Sequence, residues 1–320
     1  MRLRAAVALF AVALSTAACG RSGASVDAWV FVSNFTARSV SVFDGRSLAR
    51  VATIDLPGAP HSISVEPGGK RVWTANVDGN TVSVIDVATK KLVTSVPVCG
   101  FPERVAFVAG TPRAYVACGD GFLSVVDTDA MKQLSSDAIG FQPHDLAAGP
   151  AGHLWAANRG SNDLSEVDPA SGKLIARYPA APYADGVAFS PDGTYGYVTS
   201  KNWNSLVVLL MASKQILGAV KVGKDPQYVA ASRDGDWLYV ANGGDGTVSV
   251  VNARTFQVDS TIPVGQNPHG IAVSADGRLV FVAAQTASLV SIIDARSRTV
   301  LKRLQPQQGS GDVALVAIGG

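Results

Sequence analysis

A repeat of about 42 residues runs through this chain and constrains its fold more than any other feature of the sequence. The residue that ends the second predicted strand of each copy recurs in steps of 42, 42, 40, 42, 42 and 42, at Asn34, Asn76, Cys118, Asn158, Ser200, Asn242 and Ala284. A turn residue after the third predicted strand recurs with similar spacing, at Asp44, Asp86, Asp127, Asp168, Leu210, Asn252 and Asp294. Both series count seven copies, and such a period is typical of propellers, solenoids and related arrays.

Residues 59–100 form the clearest copy, and their pattern predicts four short strands. β-Branched residues, or apolar residues that alternate with small polar ones, fill residues 61–65, 71–75, 81–85 and 92–96. Gly, Pro, Asn and Asp fill the breaks between these segments, as turns require. Each copy is therefore predicted to be a four-stranded antiparallel meander, which cannot bury both of its faces alone.

The first copy lacks a first strand, and the missing segment stands at the other end of the chain. Residues 29–32 already align with residues 71–75, whereas residues 311–315 align with residues 269–273. A C-terminal strand that completes the first blade closes a ring and leaves no open sheet edge. We therefore predict an all-β fold, a seven-bladed β-propeller of four-stranded antiparallel blades over residues 27–320. An open solenoid, the alternative, explains neither the displaced strand nor the lack of polar caps.

The N-terminal segment is typical of an exported protein. Residues 1–18 contain two arginines, an apolar run too short to span a bilayer, and small residues before Cys19. This arrangement resembles the lipobox of bacterial lipoproteins, whose cysteine is lipidated, although Thr16 stands where that motif prefers leucine. We expect a signal peptide at 1–18, a lipidated Cys19 with a tether at 19–26, and a periplasmic protein anchored in the membrane. Cleavage without lipidation is the alternative.

Charge and composition exclude some function classes. Removal of residues 1–18 leaves 25 basic and 25 acidic residues, so no net charge attracts the mature protein to nucleic acid or a membrane surface. The sequence contains no nucleophile elbow, paired-cysteine metal knuckle or dinucleotide fingerprint. Residues 218–225 imitate a phosphate-binding loop but end in Asp225 and lie between predicted strands. No catalytic residue is predicted.

Three segments carry a family resemblance. Residues 239–242 (YVAN), 247–251 (TVSVV) and 267–273 (NPHGIAV) resemble the YVTN repeat propellers, and the whole chain resembles their periplasmic YncE-like members. The resemblance implies the propeller fold. The YncE-like members of the family are associated with nucleic-acid binding, so the resemblance also implies nucleic acid as a partner to be considered. Lactonases, streptogramin lyases and the haem-binding propeller of dissimilatory nitrite reductases are similar in scaffold. Because unrelated functions share this scaffold, the resemblance does not imply one activity.

The central channel is the predicted site. In a propeller the first strand of each blade lines the channel, and the aligned residues at its start are Gly311, His61, Glu103, His144, Asp185, Gln227 and His269. Three of the four histidines thus share one repeat position, in blades two, four and seven. Imidazoles that converge on an axis predict a transition metal, zinc or copper, at His61, His144 and His269. An anionic ligand on protonated histidines, or a solvated channel wall, is the alternative.

A second candidate binding site lies in blade five, where Lys201, Asn202 and Trp203 replace the small turn residues of other copies. An aromatic ring beside an amide and a cation suits a contact with a protein, a glycan or a base. Such a tryptophan also commonly caps the gap between blades, so both interpretations stand.

The two remaining cysteines, Cys99 and Cys118, are candidates for a disulfide because an exported chain enters an oxidising compartment. If the first hairpin of blade three turns at residues 110–111, Cys118 faces Glu103, at the same end of the blade as Cys99. Two free thiols are the alternative.

Three functions compete for this sequence. The leading one is a monomeric, non-catalytic binding scaffold that presents its channel face to a protein or small-molecule ligand. The others are a metal- or cofactor-dependent enzyme on the same face and a surface adhesion module. Binding leads because the sequence supplies no activated nucleophile and no paired acid and base.

Overall fold

The computed structural model describes residues 23–318, which form seven four-stranded antiparallel sheets. A 3-10 turn spans Pro150–Gly152. The strands are β1 Ala28–Asn34, β2 Ser39–Asp44, β3 Arg50–Asp55, β4 Pro60–Val65, β5 Arg71–Asn76, β6 Thr81–Asp86, β7 Lys91–Pro97, β8 Pro102–Phe107, β9 Arg113–Cys118, β10 Phe122–Asp127, β11 Lys132–Ala138, β12 Pro143–Ala148, β13 Leu154–Asn158, β14 Asp163–Asp168, β15 Lys173–Pro179, β16 Ala184–Phe189, β17 Tyr195–Ser200, β18 Ser205–Leu210, β19 Gln215–Lys221, β20 Pro226–Ala231, β21 Trp237–Asn242, β22 Thr247–Asn252, β23 Gln257–Pro263, β24 Pro268–Val273, β25 Leu279–Ala284, β26 Leu289–Asp294, β27 Thr299–Leu304 and β28 Ser310–Ala317.

The predicted signal peptide and Cys19 lie outside the described residues. Within residues 23–318, no helix is both long enough and apolar enough to cross a membrane. The last residues of the predicted tether pack on the propeller, since Ala24 and Ser25 are buried and the Val26 amide donates to Gly45 O at 2.8 Å.

The two repeat markers have structural roles. Buried Asn76, at the end of β5, donates to the hydroxyls of Thr81 and Ser83 on β6 at 3.0 and 2.8 Å, and so joins two strands of its blade. Asp86 accepts the amide and hydroxyl of Thr89 at 2.7 Å each, which lowers the pKa of Asp86 and fixes the turn into β7. The same two arrangements recur in several other blades.

The ring closes as the sequence predicts. Strand β28 pairs antiparallel with β1, from Ala28 opposite Ala317 to Val32 opposite Val313, and becomes the innermost strand of blade one. Val313, Ala314 and Val316 are buried there. The seven-bladed prediction is thus confirmed, and no described blade lacks a strand.

Apolar clusters fill the gaps between neighbouring blades. One cluster joins Trp73 and Val84 of blade two to Val105 and Val116 of blade three, all of them buried. The Trp73 indole nitrogen donates to Glu66 at 2.8 Å, so its polar atom is satisfied. Each large side chain buried in this way stabilises the fold by about 1.5–3 kcal/mol. The blades hold their positions around the channel through these contacts.

A β-bulge interrupts the first two strands of every blade at the channel position. In blade two, Pro60 pairs with Asn76 and Ser62 with Ala75, so His61 has no partner in the ladder. Equivalent one-residue shifts occur in the other six blades. At a bulge the extra residue is unpaired, and its side chain points in a different direction from those of the regular strand. The fold therefore positions the ring residues outside the regular ladder, which the repeat alignment did not predict.

The bulge also corrects one detail of blade three. Cys118 pairs with Pro102 rather than with Glu103, because Glu103 is the bulged residue. Cys99, in the loop before β8, has its Cα 5.9 Å from that of Cys118, and their sulfurs form a disulfide. This separation lies within the range that a disulfide requires.

Thiol titration of the denatured, unreduced protein is expected to find no reactive group from Cys99 or Cys118. The closed loop has a sequence separation of 19 residues, and the chain-entropy model assigns such a loop about 3 kcal/mol. A Cys99→Ser, Cys118→Ser double variant should therefore unfold at lower denaturant concentration than the oxidised parent. Two titratable thiols in the parent would show that the bridge does not form.

Candidate functional site

Three bulged histidines meet at the channel axis. The ring centroids of His61, His144 and His269 lie 4.9, 5.2 and 6.1 Å apart, and the rings pack edge to face. One ring nitrogen from each lies within 4.8 Å of the others. The structure thus brings together the three residues that the sequence singles out as candidate metal ligands.

The backbone of the neighbouring blade fixes each imidazole. Each Nδ1 contacts the carbonyl oxygen of the next ring residue, at 3.1, 3.2 and 3.1 Å in the pairs His61–Glu103, His144–Asp185 and His269–Gly311. Since a carbonyl oxygen can only accept, Nδ1 donates and Nε2 carries the lone pair. The buried Nε2 of His144 has no hydrogen-bond partner among the described residues. Histidines that bind metals have this arrangement, with the second nitrogen bonded to a carbonyl or carboxylate.

The environment keeps two of these imidazoles neutral. Burial lowers the pKa of His144 and His269 well below the ordinary value, and Arg159 and the neighbouring imidazoles add to the effect. An anion bound to protonated histidines is therefore disfavoured here, whereas metal coordination requires the neutral form. In a tetrahedral zinc site with bonds of about 2.1 Å, ligand nitrogens lie about 3.4 Å apart. Nitrogens that are 4.8 Å apart would therefore need to approach by about 1.4 Å.

Two carboxylates stand beside the histidines. Glu103 Oε2 lies 3.2 Å from Nδ1 of His61, and Asp185 Oδ1 lies 3.1 Å from Nδ1 of His144. Burial raises the pKa of Asp185, although the charges of Arg159 and Lys201 oppose that rise. The Nε of Arg159 donates to Asp185 Oδ1, and Lys201 Nζ lies 3.4 Å from Oδ2. Blades four and five thus surround one buried carboxylate with two cations.

A charged layer follows the histidines one residue further along the first strands. Arg104 lies 3.2 Å from Asp145 Oδ1 and donates to Asp312 Oδ2 at 2.5 Å. Burial opposes the charge of Arg104, but the two carboxylates outweigh it and raise the pKa of Arg104 above its ordinary value. The Tyr228 ring lies 5.3 Å from the Arg104 guanidinium and 4.8 Å from the His269 ring. This layer fills the channel next to the histidines.

This charged layer was not predicted from the sequence, although the sequence contains a signal for it. The position after the ring residue holds small residues in blades two, five and seven, namely Ser62, Gly186 and Gly270. The other four blades place charged or large polar side chains there, at Asp312, Arg104, Asp145 and Tyr228.

A cavity of about 330 Å³ opens beside His144 at the channel mouth. Phe101, Arg159 and Tyr183 line it together with Glu103. Its volume lies within the range of small-ligand sites. A molecule in this cavity would contact His144 from the loop face of blades three to five.

The remaining predicted residues separate into two groups. Gln227 is buried and donates to Asp225 at 3.2 Å, so it belongs to the channel mouth. Lys201 joins the histidine site through Asp185. Asn202 and Trp203 instead lie on the loop surface, and Trp203 is 49% exposed.

Comparisons with known proteins agree with this architecture. The family model described as YNCE-like beta-propeller matches residues 135–236, and the model described as Lactonase, 7-bladed beta-propeller, matches residues 228–312. Each match spans less than half of the chain. No curated protein shows a significant match.

Solved structures share the fold at low identity. Hydrazine synthase from Kuenenia stuttgartiensis superposes with a TM-score of 0.75 at 20% identity, over 82% of this chain and 91% of that one. A functionally unknown protein from Desulfotomaculum acetoxidans gives 0.79 at 17% identity, over 90% and 98%. The dihydro-heme d1 dehydrogenase NirN, in complex with DHE, gives 0.66 at 19% identity, over 87% and 64%. The chain is a seven-bladed β-propeller, with YncE-like sequence in residues 135–236.

Proposed function

We propose that this protein is a non-catalytic binding propeller that holds a transition metal, zinc or copper, in its central channel. One observation carries the proposal: three imidazoles from blades two, four and seven converge, with ring nitrogens within 4.8 Å. Their Nδ1 atoms face backbone carbonyls, so the Nε2 lone pairs are available. Three neutral nitrogen ligands suit Zn²⁺ or Cu²⁺ better than Mg²⁺ or Ca²⁺, which prefer oxygen.

Elemental analysis tests the metal site. Protein purified without a histidine tag, loaded with ZnCl₂ or CuCl₂ and desalted, is expected to retain about one equivalent of metal, the stoichiometry of a single three-histidine site. A His61→Ala, His144→Ala, His269→Ala triple variant should retain almost none. Equal metal content in the triple variant and the parent would remove the proposal.

The fourth histidine provides a matched control. His153 lies away from the channel and pairs with Glu166 at 2.8 Å. A His153→Gln variant removes one imidazole without changing the proposed ligands, so its metal content should equal that of the parent. Circular dichroism of all variants shows whether the blades are folded.

We further propose that the protein is exported and anchored by lipid at Cys19 as a periplasmic monomer. The apolar segment of residues 1–18 and the small residues before Cys19 support this. Incorporation of a labelled fatty acid, lost in a Cys19→Ser variant, tests the anchor.

A metal-dependent enzyme is the second candidate. The cavity beside His144 supports it, because a substrate there would lie next to one proposed metal ligand, His144, and to the Glu103 carboxylate. Two of the structural neighbours carry enzyme names. Hydrolysis of a lactone or ester by the zinc-loaded parent, but not by the triple variant, would favour this candidate over binding alone.

A further inference from the structure

Two aromatic residues at the channel mouth have an unfavourable backbone conformation. Phe101 and Tyr183 directly precede the first strands of blades three and five, with φ of 56° and 55°. Bulky side chains rarely occupy this left-handed region, and a residue held there is strained. In four other blades the residue at this position also has a positive φ, but it is not aromatic there: these residues are Gln142, Asp225, Asn267 and Gly309.

Burial does not compensate for this strain. Phe101 is 60% exposed and Tyr183 is 37% exposed, so both rings leave much of their apolar surface in water. Both line the cavity beside His144. Phe141, also 60% exposed, precedes the first strand of blade four between them. Strained and exposed aromatic rings around a cavity indicate a contact with a ligand.

Glu103 and Arg159 both line the cavity, and Arg159 is the group there that can bind an acidic ligand. The guanidinium of Arg159 and the ammonium of Lys201 lie 5.6 and 5.7 Å from the Tyr183 ring centroid. Arg159 uses Nε for Asp185, and among residues 23–318 its terminal nitrogens have no hydrogen bond. A planar guanidinium edge matches a carboxylate. Imidazole ligands carry no negative charge, so a divalent ion that they held could also bind an anion at an open position.

We propose that the cavity binds a planar aromatic carboxylate, with its ring against Phe101 and Tyr183 and its carboxylate between Arg159 and the open position of the metal. This inference rests on the proposed metal site. The site is expected to select this class of ligand for two reasons. An aliphatic acid has no flat face to stack on the aromatic rings, and a neutral arene has no negative charge for Arg159 and the metal to bind.

The fluorescent acid 1-naphthoate is the probe, and cyclohexanecarboxylate and 1-naphthalenemethanol are the matched controls. With zinc-loaded parent protein, 1-naphthoate is expected to bind at least tenfold more tightly than either control. Phe101→Asn and Tyr183→Asn, which introduce a residue tolerated at positive φ, should each weaken naphthoate binding at least tenfold. Their metal content should stay unchanged, and their melting temperatures should equal or exceed that of the parent.

The outcomes separate the two proposals. Retained zinc with equal binding of naphthoate and cyclohexanecarboxylate would overturn this inference and leave the metal site. Undiminished naphthoate binding by both asparagine variants would also overturn the inference. A single-stranded oligonucleotide that displaces naphthoate and binds more tightly would overturn it as well, because the ligand would then be a nucleic acid. Loss of stability in the asparagine variants would assign the rings a structural role. A zinc-free parent would overturn both the metal site and this inference.

Discussion

Deletion of residues 309–320 is expected to destroy the cooperative unfolding of the propeller or lower its melting temperature by more than about 10 °C. The deletion removes β28, with its buried residues Val313 and Val316, and exposes the ladder of β1. It also removes Asp312, one of the two carboxylates on Arg104. The lost burial alone amounts to several kcal/mol, a large share of an ordinary stability of about 5–15 kcal/mol. Thermal unfolding followed by circular dichroism measures the effect.

A circular permutant is the matched control. Ile318 N already donates to Asp27 O at 3.1 Å, so the end of β28 lies beside the start of β1. A chain that begins at residue 307 and joins residue 318 to residue 27 through a short linker keeps every strand. It should unfold cooperatively close to the temperature of the parent. A deletion variant that melts like the parent would contradict the role assigned to β28.

The second large effect is expected from Arg104→Met. Asp145 and Asp312 are 3% exposed, and Arg104 contacts both. Removal of one member of a buried ionic group leaves uncompensated charge and typically costs about 3–5 kcal/mol. At neutral pH the variant should therefore melt about 10 °C or more below the parent. A difference within a degree or two would mean that the charged layer contributes little to stability.

The pH dependence of this loss has a defined sign. Burial raises the pKa of Asp145, while Arg104 lowers it, so the variant should raise it further. A carboxyl group whose pKa is raised on folding stabilises the protein below its unfolded-state pKa, and that contribution disappears as the pH increases through the folded-state pKa. The difference between variant and parent should thus be largest at pH 7 and decrease toward pH 5. Adding Asp145→Asn and Asp312→Asn to Arg104→Met should restore most of the stability.

The fold was predictable because its markers are local. Asn76 and Asp86 bond within their own blade, so each copy repeats them and the period of 42 residues follows. The displaced strand at residues 311–315 was visible from the same period. Observed strands extend one or two residues beyond the predicted segments, since pairing continues into the turn residues.

The site was predictable only in part, because its contacts cross blades. The alignment placed His61, His144 and His269 on one ring, but their 4.8 Å approach depends on the channel width and on the bulges. Arg104 and Asp312 share one repeat position but are separated by 208 residues, and the alignment does not show that their side chains meet across the channel. The positive φ before the first strands recurs in several blades, but an aromatic residue such as Phe101 gives no sign of it in the sequence, because it is not a residue that favours this conformation.

The bulges separate the positions that hold the blades together from those that select a ligand. A residue outside the ladder can be exchanged without loss of a hydrogen bond of the sheet. Histidine, glutamate, aspartate, glutamine and glycine all stand at this position within one molecule, and the blade backbone is similar around each. The ring thus holds seven residues outside the sheet ladders, so a propeller of this kind can acquire a new chemical specificity by substitutions at these positions.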